Sequence, residues 1–175
     1  MAIKDINVPS TQELMPAPSS WWCQWQALQG TNPRTLSIPD VDLRGKWIIL
    51  TGGNSGIGRE ASLQFAKWGA NIIIGCRRDR PPREMHPDAA VESFKAAALK
   101  AGHHGTMIQW WKVDMSNLNS VEAFGNRWLA ENKPLDILAN NAGTAGTPGK
   151  TKITHDGFEL VHQARGSHYF NCCRH

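Results

Sequence analysis

Short apolar runs recur along the middle of the chain, and the stretches between them alternate apolar and polar residues at helical spacing. The first run, Trp47-Ile48-Ile49-Leu50, predicts a strand from about Lys46 to Thr51. A second strand follows over Asn71 to Cys76, where Ile72-Ile73-Ile74 has no polar alternation, as expected of a parallel strand covered on both faces. A third is expected near Thr106 to Val113, and a fourth over Ile137 to Ala139, entered through Pro134 and Asp136. The intervening helices run from Arg59 to Lys67, from about Ala89 to Lys100, and from a cap at Ser116 or Asn117 to Ala130. Gly69 and Gly102 stand just past the first two, where a chain leaving a helix turns left-handed. Strand and helix in alternation predict an α/β fold, a doubly wound parallel sheet of about four strands joined by right-handed crossovers in the order 3-2-1-4.

Outside this region the pattern changes. Residues 1–40 contain Pro9, Pro16, Pro18, Pro33 and Pro39, which interrupt every candidate element, so they read as an extended arm. Its apolar feature is Trp21, Trp22 and Trp25 with Leu28, spaced for a short helix laid on the domain or, less readily, on a partner or membrane interface. Hydrophobic residues make up 41% of the 175 and charged residues 19%, enough for a core and not a disordered composition. No apolar run approaches the roughly 18 residues that span a bilayer, so no transmembrane segment is expected. Residues 1–9 lack the apolar stretch of a secretory signal. The formal charge of +4 comes without a Lys/Arg stripe, which argues against nucleic acid as a partner. Cys23, Cys76, Cys172 and Cys173 form no disulfide-framework spacing, which leads us to expect a reducing, cytoplasmic setting.

Candidate chemistry begins in the turn between the first strand and first helix, Thr51-Gly52-Gly53-Asn54-Ser55-Gly56-Ile57-Gly58. Glycines there permit positive φ and close backbone approach, and the helix that follows aims its N–H groups and positive dipole end at an anion. In a strand–turn–helix setting this is a Rossmann-type turn for a dinucleotide pyrophosphate. The spacing is T-G-x-x-x-G-x-G. Arg77 follows the second strand, Asp114 the third, and Asn140-Asn141-Ala142-Gly143 the fourth. With these motifs in this order, the chain resembles the short-chain dehydrogenases/reductases over roughly Val41 to Gln163. The stretches Gly-Ala-Asn-Ile-Ile-Ile-Gly-Cys-Arg and Thr-His-Asp-Gly-Phe-Glu resemble the retinol-dehydrogenase and WW-domain-oxidoreductase branch.

Site roles follow from both sources. Gly52, Gly56, Ile57 and Gly58 are expected to wrap the pyrophosphate, with Asn54 and Ser55 near enough to supply hydrogen bonds. An acidic residue ending the second strand usually accepts from the ribose 2′-hydroxyl of NAD, whereas arginine accommodates a 2′-phosphate; Arg77 therefore predicts NADP(H) over NAD(H). The alternative is that Arg77, like Arg78, Arg80 and Arg83, merely belongs to a basic loop. The resemblance implies that Asp114 contacts the adenine edge, the alternative being a capping carboxylate for its own turn. It also implies that Asn141, Ala142 and Gly143 lie against the cofactor ribose.

The same resemblance implies hydride transfer between nicotinamide and an alcohol or ketone, with proton transfer by a Tyr and a Lys four residues later. Tyr169 is the single tyrosine, and Cys173 stands four residues beyond it, so no catalytic residue is assigned. Where similar proteins carry a helical Val-Asn, this chain reads Ala164-Arg165-Gly166. The expectation is an incomplete dinucleotide-binding domain at 41–163, an unrelated tail at 164–175, and a chain inactive as it stands. Substrate chemistry is expected only of a longer form. The alternatives are a non-catalytic NADP(H)-binding module or an interaction protein. His162, His168, Cys172, Cys173 and His175 cluster in sequence, but adjacent cysteines do not match zinc-ligand spacing, and no metal is assigned.

Overall fold

A computed structural model describes residues 38–77, 84–146 and 150–165. The tryptophan-bearing arm, loop residues Arg78, Arg80 and Arg83, and the tail with Tyr169 and Cys173 lie outside these residues, as do His168, Cys172 and His175. The described chain alternates β1 (Trp47–Thr51), α1 (Gly56–Lys67), β2 (Asn71–Cys76), α2 (Pro87–Lys100), β3 (Ile108–Lys112), α3 (Leu118–Ala130) and β4 (Ile137–Ala139). The strands form one parallel sheet in the order β3-β2-β1-β4, the order that the strand–helix alternation predicts.

The pleat explains why β1 and β2 are apolar at every position. Ile48, Ile72, Ile74 and Ile108 point to one face, where they pack with Ala66 of α1 and Ala90, Val91, Phe94 and Ala98 of α2. Their neighbours Trp47, Ile49, Ile73 and Trp111 point to the other face and pack with Trp128 of α3. Two helices on one side and one on the other leave no solvent-facing side for the central strands, so polar alternation would have placed unpaired side chains in the core.

Element boundaries differ from expectation where local capping decides them. Helix α2 starts at Pro87 rather than Ala89, because the His86 ring accepts from the Asp88 N–H at 3.3 Å and proline suits a first helical turn, whose N–H has no intrahelical acceptor. Asn117, not Ser116, caps α3, its side chain accepting from the Ser120 N–H at 3.2 Å. Strand β3 is shorter than expected. Gly69 has φ 80°, in keeping with its place after α1.

The register aligns the ends of the strands. Thr51 lies opposite Gly75, and Leu50 opposite Ala139, so the turns leaving β1, β2 and β4 emerge at one edge of the sheet. That edge is the carboxyl end, where parallel sheets of this topology form a crevice as their connections depart to opposite faces.

Candidate functional site

At the carboxyl end of the strands lies a cavity of about 470 Å³ lined by the β1–α1 turn, the end of β2 with Glu84, the β3–α3 turn, residues 141–144, and Leu160 and Ala164. Of the sequence-predicted residues, Gly52, Asn54, Ser55, Gly56, Ile57, Arg77, Asp114, Asn141, Ala142 and Gly143 line it. Gly58 does not; it lies behind the turn, where an added Cβ would come within 2.3 Å of Asn141 Nδ2 and 2.4 Å of the Gly52 carbonyl oxygen. Its role is therefore close packing, and no side chain fits there without moving backbone.

The turn itself is shaped by Gly52 at φ 70° and Gly56 at φ 52°, left-handed conformations that glycine adopts without Cβ strain. A Cβ at Gly56 would meet nothing within 4 Å. Ser55, in extended conformation, precedes α1 without making a side-chain cap. The first α1 hydrogen bond runs from the Arg59 N–H to the Ser55 carbonyl at 3.1 Å, so the N–H groups of Gly56, Ile57 and Gly58 precede the intrahelical ladder at the positive end of the helix. Ile57 lines the cavity while 84% exposed, an apolar surface available to a bound molecule.

Thr51 ties the two turns together, a role that the sequence pattern alone does not announce. Its Oγ1 accepts from the N–H groups of Asn141 at 3.2 Å and Ala142 at 3.0 Å. The Asn141 Nδ2 donates back to the Thr51 carbonyl at 3.0 Å and to Gly52 O at 3.4 Å. The Asn141 side chain thus acts as a brace between β1 and β4, holding Ala142 and Gly143 on the cavity wall.

Asn54, expected to serve a phosphate, is only 2% exposed; its Nδ2 donates to Met85 O at 3.1 Å and Glu84 Oε2 at 3.4 Å. Its amide fastens the segment after the loop to the glycine turn. Asp114 Oδ1 accepts from the Ser116 N–H at 2.9 Å and hydroxyl at 2.6 Å, which supports the local turn role weighed for it. The Asp114 N–H donates to Ser120 Oγ at 3.0 Å. Arg77 reaches Glu84, Nη2 to Oε1, at 3.5 Å. Burial pushes the Cys76 thiol up to about 12, with Glu84 and Asp88 adding to the effect, so it is a neutral wall residue.

Leu160 and Ala164 were not anticipated in the site. Residues 160–165 form a helical segment, and Ala164 packs with Val113, Met115 and Val121. The residue where the tail was expected to begin is thus part of the packed domain. Asp156 fixes this segment by accepting from the Leu118 N–H at 2.8 Å and Gln163 Nε2 at 2.6 Å.

Among the described residues, the charged side chains lining the cavity are Arg77, Glu84 and Asp114, one cation against two carboxylates. Side-chain charge alone therefore does not attract a polyanion. The backbone does: open space above Gly56 and N–H groups at the start of α1 match a pyrophosphate. Fold and site together define a dinucleotide-binding α/β domain.

The family is decided by comparison. The family model for short chain dehydrogenase matches residues 46–175, and the chain belongs to that family, whose cofactor is a nicotinamide dinucleotide. Among its relatives, mouse retinol dehydrogenase 12 is 36% identical over 120 residues, covering 69% of this chain and 34% of the relative. Human retinol dehydrogenase 13 is 35% identical over 132 residues, covering 75% and 34%. Human WW domain-containing oxidoreductase is 32% identical over 145 residues, covering 83% and 32%. The chain thus spans about a third of the length of these curated relatives. Solved structures agree on the fold: NADH-dependent reductase A1-R′ complexed with NAD has a TM-score of 0.54 at 22% identity, covering 72% of this chain and 48% of that one. A short-chain dehydrogenase from Sphingobium yanoikuyae in complex with NADPH also has a TM-score of 0.54, at 24% identity, covering 70% and 44%.

Proposed function

We propose that this chain forms the adenosine side of an NADP(H) site in a short-chain oxidoreductase acting on a lipophilic alcohol or the corresponding carbonyl compound. The observation that carries the cofactor choice is Arg77, which directly follows β2 and lines the same cavity as the glycine turn. A guanidinium there suits a 2′-phosphate, to which it can donate paired charged hydrogen bonds. The substrate class is suggested by the retinol dehydrogenases among the relatives.

The cofactor, when bound, supplies or accepts the hydride. The residues of this chain hold it: the start of α1 binds the pyrophosphate, Thr51 and Asn141 keep Ala142 and Gly143 in place against a ribose, and Arg77 takes the 2′-phosphate. No Tyr-x-x-x-Lys occurs in the 175 residues, so proton transfer to a substrate oxygen is assigned to none of them. The second reading is a non-catalytic NADP(H)-binding module, which needs only the cofactor-holding residues just named.

Titration with NADPH and NADH tests the cofactor assignment. NADPH is expected to bind more tightly, and Arg77→Asp to abolish that difference; equal or reversed wild-type affinities would sink it. A panel of ketones assayed with NADPH separates the readings, since hydride transfer by the 175-residue chain excludes the non-catalytic module.

A further inference from the structure

Arg77 does not meet the cavity alone. Glu84, at the far end of the loop that follows β2, brings its Oε1 to 3.5 Å from Arg77 Nη2, while its Oε2 accepts from Asn54 Nδ2 at 3.4 Å. The same Asn54 amide donates to Met85 O at 3.1 Å, so the segment carrying the carboxylate is fastened to the glycine turn. Arg77, Glu84 and Asn54 all line the cavity.

We propose that Glu84 is a specificity-determining residue: its carboxylate occupies the guanidinium at the place a 2′-phosphate would take, and so narrows the discrimination between NADP(H) and NAD(H). The inference rests on the assignment of Arg77 to the 2′-phosphate made under the proposed function. Its chemistry is a competition between anions. A phosphate arriving at Arg77 either displaces the carboxylate or lies beside it, and like charges in one cavity repel. For NAD(H) the carboxylate is no obstacle, because a ribose 2′-hydroxyl donates a hydrogen bond to an acidic side chain. The pair is long and its side chains are 49% and 24% exposed, the mark of an exchangeable contact and not of a buried structural bridge. A site with both groups accepts either cofactor, with a preference for NADP(H) smaller than arginine alone would confer.

The test compares the wild-type chain with Glu84→Gln, which keeps shape and removes charge, in titrations with NADPH and NADH. The variant should bind NADPH more tightly and NADH no better, raising the ratio of the two dissociation constants about tenfold. Binding with an unchanged ratio overturns the inference and leaves the dinucleotide assignment standing. Failure of the wild type to bind either cofactor saturably removes both. A second measurement needs no variant: 2′,5′-ADP should bind wild type more tightly than 5′-AMP, by no more than about tenfold. A preference of a hundredfold or more would show that Glu84 does not compete.

Discussion

Thr51 shows how much one hydroxyl can organise. Two backbone N–H groups from the turn after β4 converge on its Oγ1, and removing the oxygen takes this acceptor from both, although the Asn141 N–H also donates to the Ala139 carbonyl at 3.0 Å. Thr51→Val, similar in volume but without an acceptor, is expected to cost about 1–3 kcal/mol, read from the shift in urea midpoint at unchanged slope. NADPH binding should weaken with it, because Ala142 and Gly143 are no longer pinned. A Cβ at Gly58 would instead collide with Asn141 and the Gly52 carbonyl. Gly58→Ala should destabilise by roughly 1–3 kcal/mol or more and disturb the cofactor turn; an unchanged melt with unchanged NADPH affinity would refute this assignment of close packing. The glycine spacing and Arg77 were legible from sequence because residue type alone carries their signal. Thr51, Glu84 and the tie that Asn54 makes to Met85 were not legible there, because they depend on partners distant in the chain, such as Asn141 and Met85.

At the scale of elements, Asp136 positions the start of the sheet. Its carboxylate accepts from Lys46 Nζ at 2.8 Å and from the Trp47 N–H at 2.9 Å, linking the approach to β4 with the entry of β1. The Lys46 contact, followed by the backbone N–H, holds the Asp136 carboxyl below its ordinary value. A carboxyl lowered by folding contributes fully above the unfolded value of about 3.9 and loses that contribution as pH falls through its folded value. Asp156 is lowered in the same sense, first by the Leu118 N–H and then by Gln163. Stability should therefore decline progressively below about pH 5. Asp136→Asn should be less stable than wild type at pH 7, with the gap shrinking at acid pH; a gap independent of pH would contradict this account. Strands β1, β2 and β4 could be located from apolar runs, and the helices from periodicity. The start of α2 could not, since His86 caps it only through its geometry with Asp88.

Taken as a whole molecule, the sheet is most protected at its centre. Strands β1 and β2 are buried almost throughout, whereas β4 is half-buried and, among the described residues, pairs with β1 alone. Amide hydrogen exchange should be slowest in β1 and β2 and fastest in β4; equal protection in all of them would mean that the edge of β4 is covered. The face opposite α1 and α2 is held by aromatic packing, with Trp128 centred 5.6 Å from Trp47 and 6.1 Å from Trp111. Arg127 lies 4.1 Å over the Trp111 ring, and Lys133 4.5 Å over that of Trp47. Trp128→Ala should cost about 3–5 kcal/mol, measured by denaturant unfolding, because it removes the ring that packs against both Trp47 and Trp111.

Sequence by itself determined the alternation of strand and helix, the strand order and the place of the glycine turn, since periodicity and glycine content are local properties. It also carried the family resemblance, whose motifs recur in order along the chain. Tertiary structure alone decided which atoms meet at the crevice. There Thr51 braces the turn after β4, Asn54 fastens the segment at Met85, and Ala164 closes a wall instead of beginning a tail. Above all it brought Glu84 to 3.5 Å from Arg77 across a loop, a separation that no linear pattern records.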